Sequence, residues 1–278
     1  MSRDPGRTFE LTGRLGVFLA LTAAQVCYAQ VSGSAQIVSD YRFRGVTLSN
    51  RNPAAQMDVN FDIAQPAASD GSNANAATGT EADARADETA DGSAHAHTDA
   101  SYVGAFVSTA RLDYPARDAI QWLPYAGWAR RFASGASLDA GAEYSGFAGD
   151  PSLSYLEAHV GVANEDFGAR LYYSPSYFHS GLQTLYAQLD ASRAVGEHAR
   201  AFAHVGALAV ISSTGGDSNT GRGQVDLRLG LAWRWERIRV QGAWVGVNRV
   251  SDVYPVGNYD GTVASGRSAW VLQVGYAF

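Results

Sequence analysis

The chain has little cysteine and, beyond its N-terminus, no long apolar run. Cys27 is its only cysteine, which excludes a zinc site built from cysteine pairs. No later run approaches the roughly 20 apolar residues that a membrane-spanning helix needs. The sequence also lacks a glycine-rich phosphate loop and a basic patch for nucleic acid. A membrane protein of this composition would cross the bilayer as a β-barrel, and we expect neither a cofactor nor a nucleic-acid partner.

The N-terminus has the pattern of an export signal. Three arginines precede an apolar run at residues 15–24, and small residues then suit cleavage ahead of Gln30. A soluble helix is the alternative, but the run is too short to span a membrane and lies at the end of the chain where signals occur. We predict that residues 1–29 are a signal peptide, which leaves with Cys27, and that residues 30–278 form one domain.

Strand periodicity is clearest in the last nine residues. Large apolar side chains alternate there with smaller or more polar ones, and the chain ends on a phenylalanine. This pattern is typical of the closing strand of an outer-membrane β-barrel, although an edge strand of a soluble sandwich is the alternative. We predict that the apolar set is a signal for the barrel-assembly machinery; it comprises Trp270, Leu272, Val274, Tyr276 and Phe278.

Alternation of the same kind continues through the chain. Charge stays off the apolar faces, and short connections alternate with long ones rich in Gly, Asp, Ser and Asn, as in a barrel with both termini in the periplasm. We predict an all-β fold, a transmembrane antiparallel up-and-down β-barrel of about 12 strands, located in the cell outer membrane. The predicted strands are residues 31–45, 55–63, 101–109, 121–131, 137–144, 154–163, 168–174, 184–192, 200–210, 222–234, 238–247 and 268–278.

Two features interrupt this pattern. Pro124 falls within the predicted strand 121–131, where it cannot donate to a closed ladder, so we expect it near a strand end or a bulge. Residues 65–99 are acidic and contain no aromatic residue, and this composition predicts a disordered insertion. Strand counting places the insertion on the periplasmic side, unless the count slips there by one strand. His95 and His97 could capture a metal, but we expect a solvated tether and no metal site.

The opening hairpin resembles a known family. Residues 39–49 read Ser-Asp-Tyr-Arg-Phe-Arg-Gly-Val-Thr-Leu-Ser, and Asn52-Pro53-Ala54 and an alternating strand follow. This is similar to the Asp-Tyr-x-Phe-Arg-Gly run, Ser-containing loop, Pro and strand of the TorF-type porin family of Gram-negative outer membranes. The similarity covers about 30 residues, and Leu48 stands where the family often has Gln. The resemblance implies an outer-membrane β-barrel with porin-like function.

Charged side chains on the polar faces of the predicted strands are candidates for lining the barrel lumen. Both signs occur, so they form either the lining of a narrow pore, which would set its ion preference, or an ion-pair network that holds the barrel shut. We favour a porin that passes small solutes or ions; a closed structural or adhesive barrel acting through its outer loops is the alternative. The candidates are Asp40, Arg42, Arg44, Asp58, Asp62, Asp139, Glu143, Glu157, His159, Arg170, Asp190, Asp226, Arg228 and Arg239.

An outer-membrane lipid hydrolase is the alternative from a different class. His179 and Ser180 lie in one connection, but a serine nucleophile needs a base within hydrogen-bond reach, and neighbours on an extended chain point apart. We therefore expect no enzyme and no catalytic residue. Tryptophans near strand ends suit contact with outer-membrane lipid, whereas Tyr172 and Tyr186 are better placed to stack on a solute in the lumen.

Overall fold

The protein folds as a closed antiparallel barrel of 12 strands, as predicted. The computed structural model describes residues 29–64, 98–113, 116–213, 223–249 and 267–278. The strands are β1 (Ala29–Val38), β2 (Arg42–Phe43), β3 (Val46–Thr47), β4 (Ala54–Ala64), β5 (Thr98–Asp113), β6 (Ala116–Arg131), β7 (Ser137–Phe147), β8 (Tyr155–Ala163), β9 (Phe167–Tyr177), β10 (Leu182–Ala194), β11 (Ala199–Ser213), β12 (Gln224–Trp235), β13 (Ile238–Val247) and β14 (Ser268–Ala277). All except β2 and β3 form the barrel wall.

The seam between β1 and β14 closes the wall. The two strands pair from Ser34 opposite Ala277 to Val38 opposite Gln273. Next to the Ser34–Ala277 pair, the N–H of Phe278 donates to the carbonyl of Gly33 at 2.9 Å, and the N–H of Gly33 donates to the carbonyl of Phe278 at 3.0 Å. Closure thus gives each terminal strand a partner at the seam.

The outer surface of the wall is an apolar belt. Aliphatic side chains at alternate positions point outward on every side of the barrel, such as Leu229 on β12 and Val160 on β8. Trp270 is 78% exposed at the start of β14. An apolar surface that surrounds the molecule is unsuited to water and suits contact with lipid. Within the residues that the structure describes, no helix is long and apolar enough to cross a membrane.

Four short connections lie at one end of the barrel, which we call the short-turn end. They join β6 to β7, β8 to β9, β10 to β11 and β12 to β13. The opposite end has the longer connections that follow β1, β11 and β13, but also two short ones, residues 114–115 between β5 and β6 and residues 178–181 between β9 and β10. Strand β4 ends and β5 begins at the short-turn end, so the strand count does not slip at the acidic stretch. Residues 65–97 themselves, like residues 1–28, lie outside the described residues.

Four details of the predicted strands are wrong. Residues 110–113 and 116–120, predicted to lie in a long connection, belong to β5 and β6. The first strand ends at Val38, not at residue 45, because residues 40–49 turn into the barrel. Thr98 and Asp99 belong to β5 and not to a disordered insertion; Asp99 pairs with Arg130 across the wall. Pro124 lies within β6, paired with β5 and away from either end. The β6–β7 pairing omits Leu123 and Pro124 without a change of register, so the missing N–H of proline is accommodated without a bulge.

Candidate functional site

Residues 39–53, which we call the lumen segment, connect β1 to β4 at the end opposite the short turns. The segment contains the hairpin β2–β3, in which Arg42 pairs with Thr47 and Phe43 with Val46. At the hairpin tip, Arg44 and Gly45 have φ angles of 48° and 80°. Positive φ at both central residues is characteristic of a two-residue hairpin turn, and glycine is preferred there because it has no Cβ.

The hairpin is packed inside the barrel, where its large side chains are buried. Tyr41, Phe43, Val46 and Leu48 form one apolar cluster with inward residues of the wall. Burying each of the aliphatic or aromatic side chains contributes about 1.5–3 kcal/mol relative to leaving it in water. The apolar half of the segment therefore occupies the lumen at this end of the barrel.

The guanidinium of Arg44 ties the hairpin tip to the wall. Its Nη1 donates to Oε1 of Glu157 at 3.0 Å and its Nη2 donates to Oε2 at 2.7 Å. Nη1 also donates to the hydroxyl of Tyr177 at 3.0 Å. The side chains of Arg44 and Glu157 are only 5% and 1% exposed, so this is a buried, bidentate ion pair. Such a pair fixes geometry, and loss of either partner is costly.

Aromatic rings surround the same guanidinium. The Cζ of Arg44 lies 4.0 Å from the ring centroid of Tyr186, 5.2 Å from that of Tyr172 and 5.6 Å from that of Tyr177. Phe43 of the hairpin is at 4.8 Å. These distances are within the range of cation–π attraction, which is strongest where water is excluded. We call Glu157, Tyr172, Tyr177 and Tyr186 the Arg44 pocket.

Three further hydrogen bonds hold the lumen segment. The hydroxyl of Tyr41 donates to Oε1 of Gln121 at 2.7 Å, and Nε2 of Gln224 donates to the carbonyl of Arg44 at 2.7 Å. The backbone N–H of Arg111 donates to the carbonyl of Leu48 at 2.8 Å. The segment is thus attached to β5, β6, β8 and β12 as well as to its own flanking strands.

Two buried polar clusters line the wall beside the segment. In the first, Asp139 accepts from Nη2 of Arg170 and contacts Nε2 of His159, both at 3.1 Å. In the second, His204 lies between two carboxylates, with Nδ1 at 2.7 Å from Asp190 and Nε2 at 3.1 Å from Asp226. The first cluster brings opposite charges together, which keeps ionised groups tolerable in a narrow space. In the second, the imidazole of His204 bridges two carboxylates.

A cavity that is partly open to solvent adjoins the lumen segment. Its lining is mostly polar and contains both signs of charge, including Arg228 and Asp226 of β12. Its lining also includes glutamines from four wall strands and the rings of Tyr172 and Tyr186. The lumen therefore holds a polar chamber next to the residues that block one end.

The predicted lumen candidates are brought together in part. Arg44 meets Glu157, Arg42 meets Asp40, and Asp139 meets His159 and Arg170. Asp190 and Asp226 meet through His204. Asp58 instead accepts from Tyr125 and Asp62 from Asn60, apart from these groups. Arg228 and Glu143 are buried within the barrel, and Arg239 is partly buried.

Sequence reasoning missed several residues of the site. His204 lies on the inward face of β11, in alternation with outward Val205, so the period-two pattern of that strand could have identified it. Tyr177 falls beyond the predicted end of its strand, at residue 174, and gave no such signal. The predicted stacking residues Tyr172 and Tyr186 do face the lumen, but Arg44 covers them.

The other chemical candidates are not assembled into a site. Nδ1 of His179 contacts the carbonyl of Ser154, and the hydroxyl of Ser180 donates to the carbonyl of Tyr177. Each of the two residues thus turns to a backbone oxygen. Among the described residues there is no group of three or more His, Cys, Asp or Glu that could hold a metal ion. His95 and His97 lie outside those residues.

Comparisons with known proteins concern the fold alone. No protein-family model and no curated protein matches the chain. Similar solved structures include the β-domain of the Bordetella autotransporter BrkA, at 13% identity over 89% of this chain and 98% of that one, with a TM-score of 0.38. The translocator domain of autotransporter NalP from Neisseria meningitidis matches at 12% identity over 89% and 88%, with a TM-score of 0.32. CdiB from Acinetobacter baumannii matches at 11% identity over 81% of this chain and 42% of that one, with a TM-score of 0.37.

Proposed function

We propose that this protein is an outer-membrane channel of the TorF type, through which small hydrophilic solutes or ions diffuse passively. In the state described, the lumen segment closes the lumen at the end opposite the short turns. The single observation that carries the proposal is the polar chamber inside a closed wall, whose lining has charges of both signs.

The orientation is supported by the connections, since four of the five at the short-turn end are short. In outer-membrane barrels the short turns face the periplasm and the longer loops face outward. The short-turn end also holds both ends of the described chain, since β1 begins there and β14 ends there. With this orientation the lumen segment lies at the extracellular side, and the export signal predicted from the sequence would deliver the chain to the periplasm.

Without the lumen segment, the dimensions of the barrel would leave room for a solute path. Twelve strands about 4.8 Å apart and tilted by about 40° give a backbone cylinder roughly 24 Å across. Inward side chains narrow it to roughly 10–12 Å, which a two-stranded hairpin fills. The lumen segment contributes no strand to the wall. Its withdrawal would therefore open the lumen without breaking a hydrogen bond between wall strands.

A closed barrel that acts through its loops is the second candidate. The observation in its favour is the buried ion pair between Arg44 and Glu157, because a segment held this firmly can serve as a permanent filling. The two proposals differ in the expected effect of displacing the segment. A channel then conducts steadily, whereas a structural barrel has no reason to provide a continuous path.

Planar-bilayer recording distinguishes the two. We expect small or intermittent current steps from the refolded wild-type protein and large, steady steps from a variant whose residues 41–50 are replaced by a Gly-Ser linker. The control replaces residues 133–135, in a short turn, by the same kind of linker, and its current should match wild type. A linker variant that keeps a heat-modifiable folded band but gives no current steps would refute the channel and favour the closed barrel.

A further inference from the structure

We propose that the Arg44 pocket is a binding site for solutes that carry a guanidinium group, and that Arg44 is its built-in occupant. An external guanidinium compound competes with Arg44 and so releases the lumen segment. This inference adds a class of ligand and a means of opening to the proposed channel. The means of opening rests on the proposed channel function. Binding itself does not depend on conduction.

The pocket belongs to the wall and not to the segment that fills it. Glu157 lies on β8, Tyr172 and Tyr177 lie on β9, and Tyr186 lies on β10. Adjacent wall strands hold these residues in register. Withdrawal of the hairpin would remove Arg44 and Phe43 and would leave the remaining partners in place. The pocket is therefore formed before any ligand arrives, which lowers the entropic cost of binding.

The geometry matches a guanidinium group and not merely a positive charge. The two carboxylate oxygens of Glu157 accept from two different nitrogens of Arg44, and the hydroxyl of Tyr177 accepts a further bond. The ring of Tyr186 lies 4.0 Å from the guanidinium carbon, which is stacking distance. A planar cation with several fixed donors satisfies all of these contacts together, whereas an ammonium group cannot reproduce the fork.

The charge around the pocket favours a cation. Glu143 lies directly opposite Glu157 in the β7–β8 pairing, and both side chains are buried and face inward. Two neighbouring buried carboxylates repel each other, and a nearby positive group reduces that repulsion. With Arg44 withdrawn, the buried carboxylate of Glu157 would attract an external cation.

A solute can reach the pocket from the lumen. Tyr172, Tyr186 and Arg44 itself all line the polar cavity. Arg44 competes as a tethered group, with an effective concentration on the order of millimolar or above. An external compound must exceed that concentration in the wild-type protein. Removal of the Arg44 side chain beyond Cβ eliminates this competition and leaves a space of the shape of ethylguanidinium.

The test is chemical rescue of Arg44→Ala in detergent micelles. We expect N-ethylguanidinium to raise the melting temperature of this variant in a saturable manner, while the neutral N-ethylurea and the simple cation propylammonium have little effect. The double variant Arg44→Ala/Glu157→Gln should lose the response. The matched control is Arg130→Ala, because Arg130 also binds a carboxylate through two nitrogens, at 2.6 and 2.7 Å to Asp99. That pair is 43% and 30% exposed, so no rescue is expected.

Equal shifts in Arg44→Ala, Arg130→Ala and wild type would overturn the proposal, as would a response that survives in the double variant. If Arg44→Ala does not fold, the test uses Val46→Cys in a Cys27→Ala background, in which Arg44 and its pocket are unchanged. N-ethylguanidinium, but not N-ethylurea, should then accelerate thiol labelling of Val46→Cys in a saturable manner. Equal labelling rates with the two compounds, at every concentration that preserves the heat-modifiable folded band, would refute competition. Both readouts work without current. Binding without conductance would refute the channel and retain the pocket.

Discussion

Substitution of Glu157 by glutamine is the sharpest test of how the lumen segment is held. The change keeps the size of the side chain and removes the charge that faces Arg44. It leaves a buried guanidinium whose side chain is only 5% exposed. Because the wall is complete without the segment, we expect the loss to appear as release of the segment rather than as unfolding of the barrel.

The magnitude depends on the contacts that remain. Breaking a buried ion pair by neutralising one partner costs about 3–5 kcal/mol. The glutamine still accepts one hydrogen bond, and the ring of Tyr186 still faces the guanidinium, so the lower end, about 3 kcal/mol, applies. Since 1.4 kcal/mol corresponds to a factor of ten, the population with the segment released should rise about 100-fold.

Thiol labelling measures that population. Val46 is 2% exposed in the hairpin, so Val46→Cys in a Cys27→Ala background reacts with a maleimide only when the segment leaves the lumen. When release and return are fast relative to labelling, the labelling rate is proportional to the released fraction. Glu157→Gln should therefore label about 100-fold faster than its parent, with an unchanged heat-modifiable band on a gel.

The matched control is Glu165→Gln, which removes the same charge from an exposed turn at the short-turn end. It should label at the rate of the parent. If Glu157→Gln labels no faster than Glu165→Gln while both remain folded, the ion pair does not hold the segment, and the reasoning from burial is wrong.

Three further predictions concern the hairpin tip, the belt and the seam. Gly45→Ala should destabilise the docked hairpin by about 1–2 kcal/mol because φ is positive there. The new Cβ would also clash with a β12 side chain at 2.8 Å, so thiol labelling should accelerate. In the control Gly135→Ala, φ is 83° and no atom lies within 4 Å of the added Cβ, so labelling should be unchanged. Leu229→Arg on the outward face should destabilise the folded barrel in lipid by about 2–4 kcal/mol, whereas Leu229→Met should have little effect. Equal stability of the two variants would argue against lipid contact at this position. Deletion of Phe278 removes the last two backbone hydrogen bonds of the seam, to Gly33, and should reduce the amount of folded barrel in the membrane fraction, while Phe278→Tyr should insert normally; undiminished levels of the deletion variant would contradict an assembly role.

The wall of the barrel could be predicted from local pattern because each wall strand has two different environments. On β12, Leu227 and Leu229 face outward while Asp226 and Arg228 face inward, and period-two alternation reports this difference directly. Short connections then indicate that consecutive strands are neighbours. Neither inference needs information about distant parts of the chain.

The lumen segment could not be recognised in the same way. Tyr41 and Phe43 alternate with charged residues, and this pattern is the same whether the apolar side chains face lipid or pack inside the barrel. Two local signals were present in retrospect. Val38 breaks the alternation of β1, where its inward side chain is buried, and Gly45 suits a turn with positive φ.

The contacts within the site were beyond the reach of periodicity. Arg44 and Glu157 are 113 residues apart in sequence, and Gln224 reaches the carbonyl of Arg44 across 180 residues. Alternation indicates that such residues face the lumen, but it does not indicate which of them meet. Pro124 shows a different limit of sequence reasoning. A general rule placed it near a strand end or a bulge, whereas the wall accommodates it within β6.

The long-range attachment of the hairpin also has a consequence for the order of events during folding. Neighbouring wall strands are close in sequence, except at the seam, and can pair early, because loop-closure entropy favours local contacts. The hairpin belongs to the first part of the chain to be made, yet its partners lie on β8, β9, β10 and β12. It can be seated only after those strands are in place. Docking of the hairpin is therefore a late step of folding, and its speed determines how long the lumen stays unfilled.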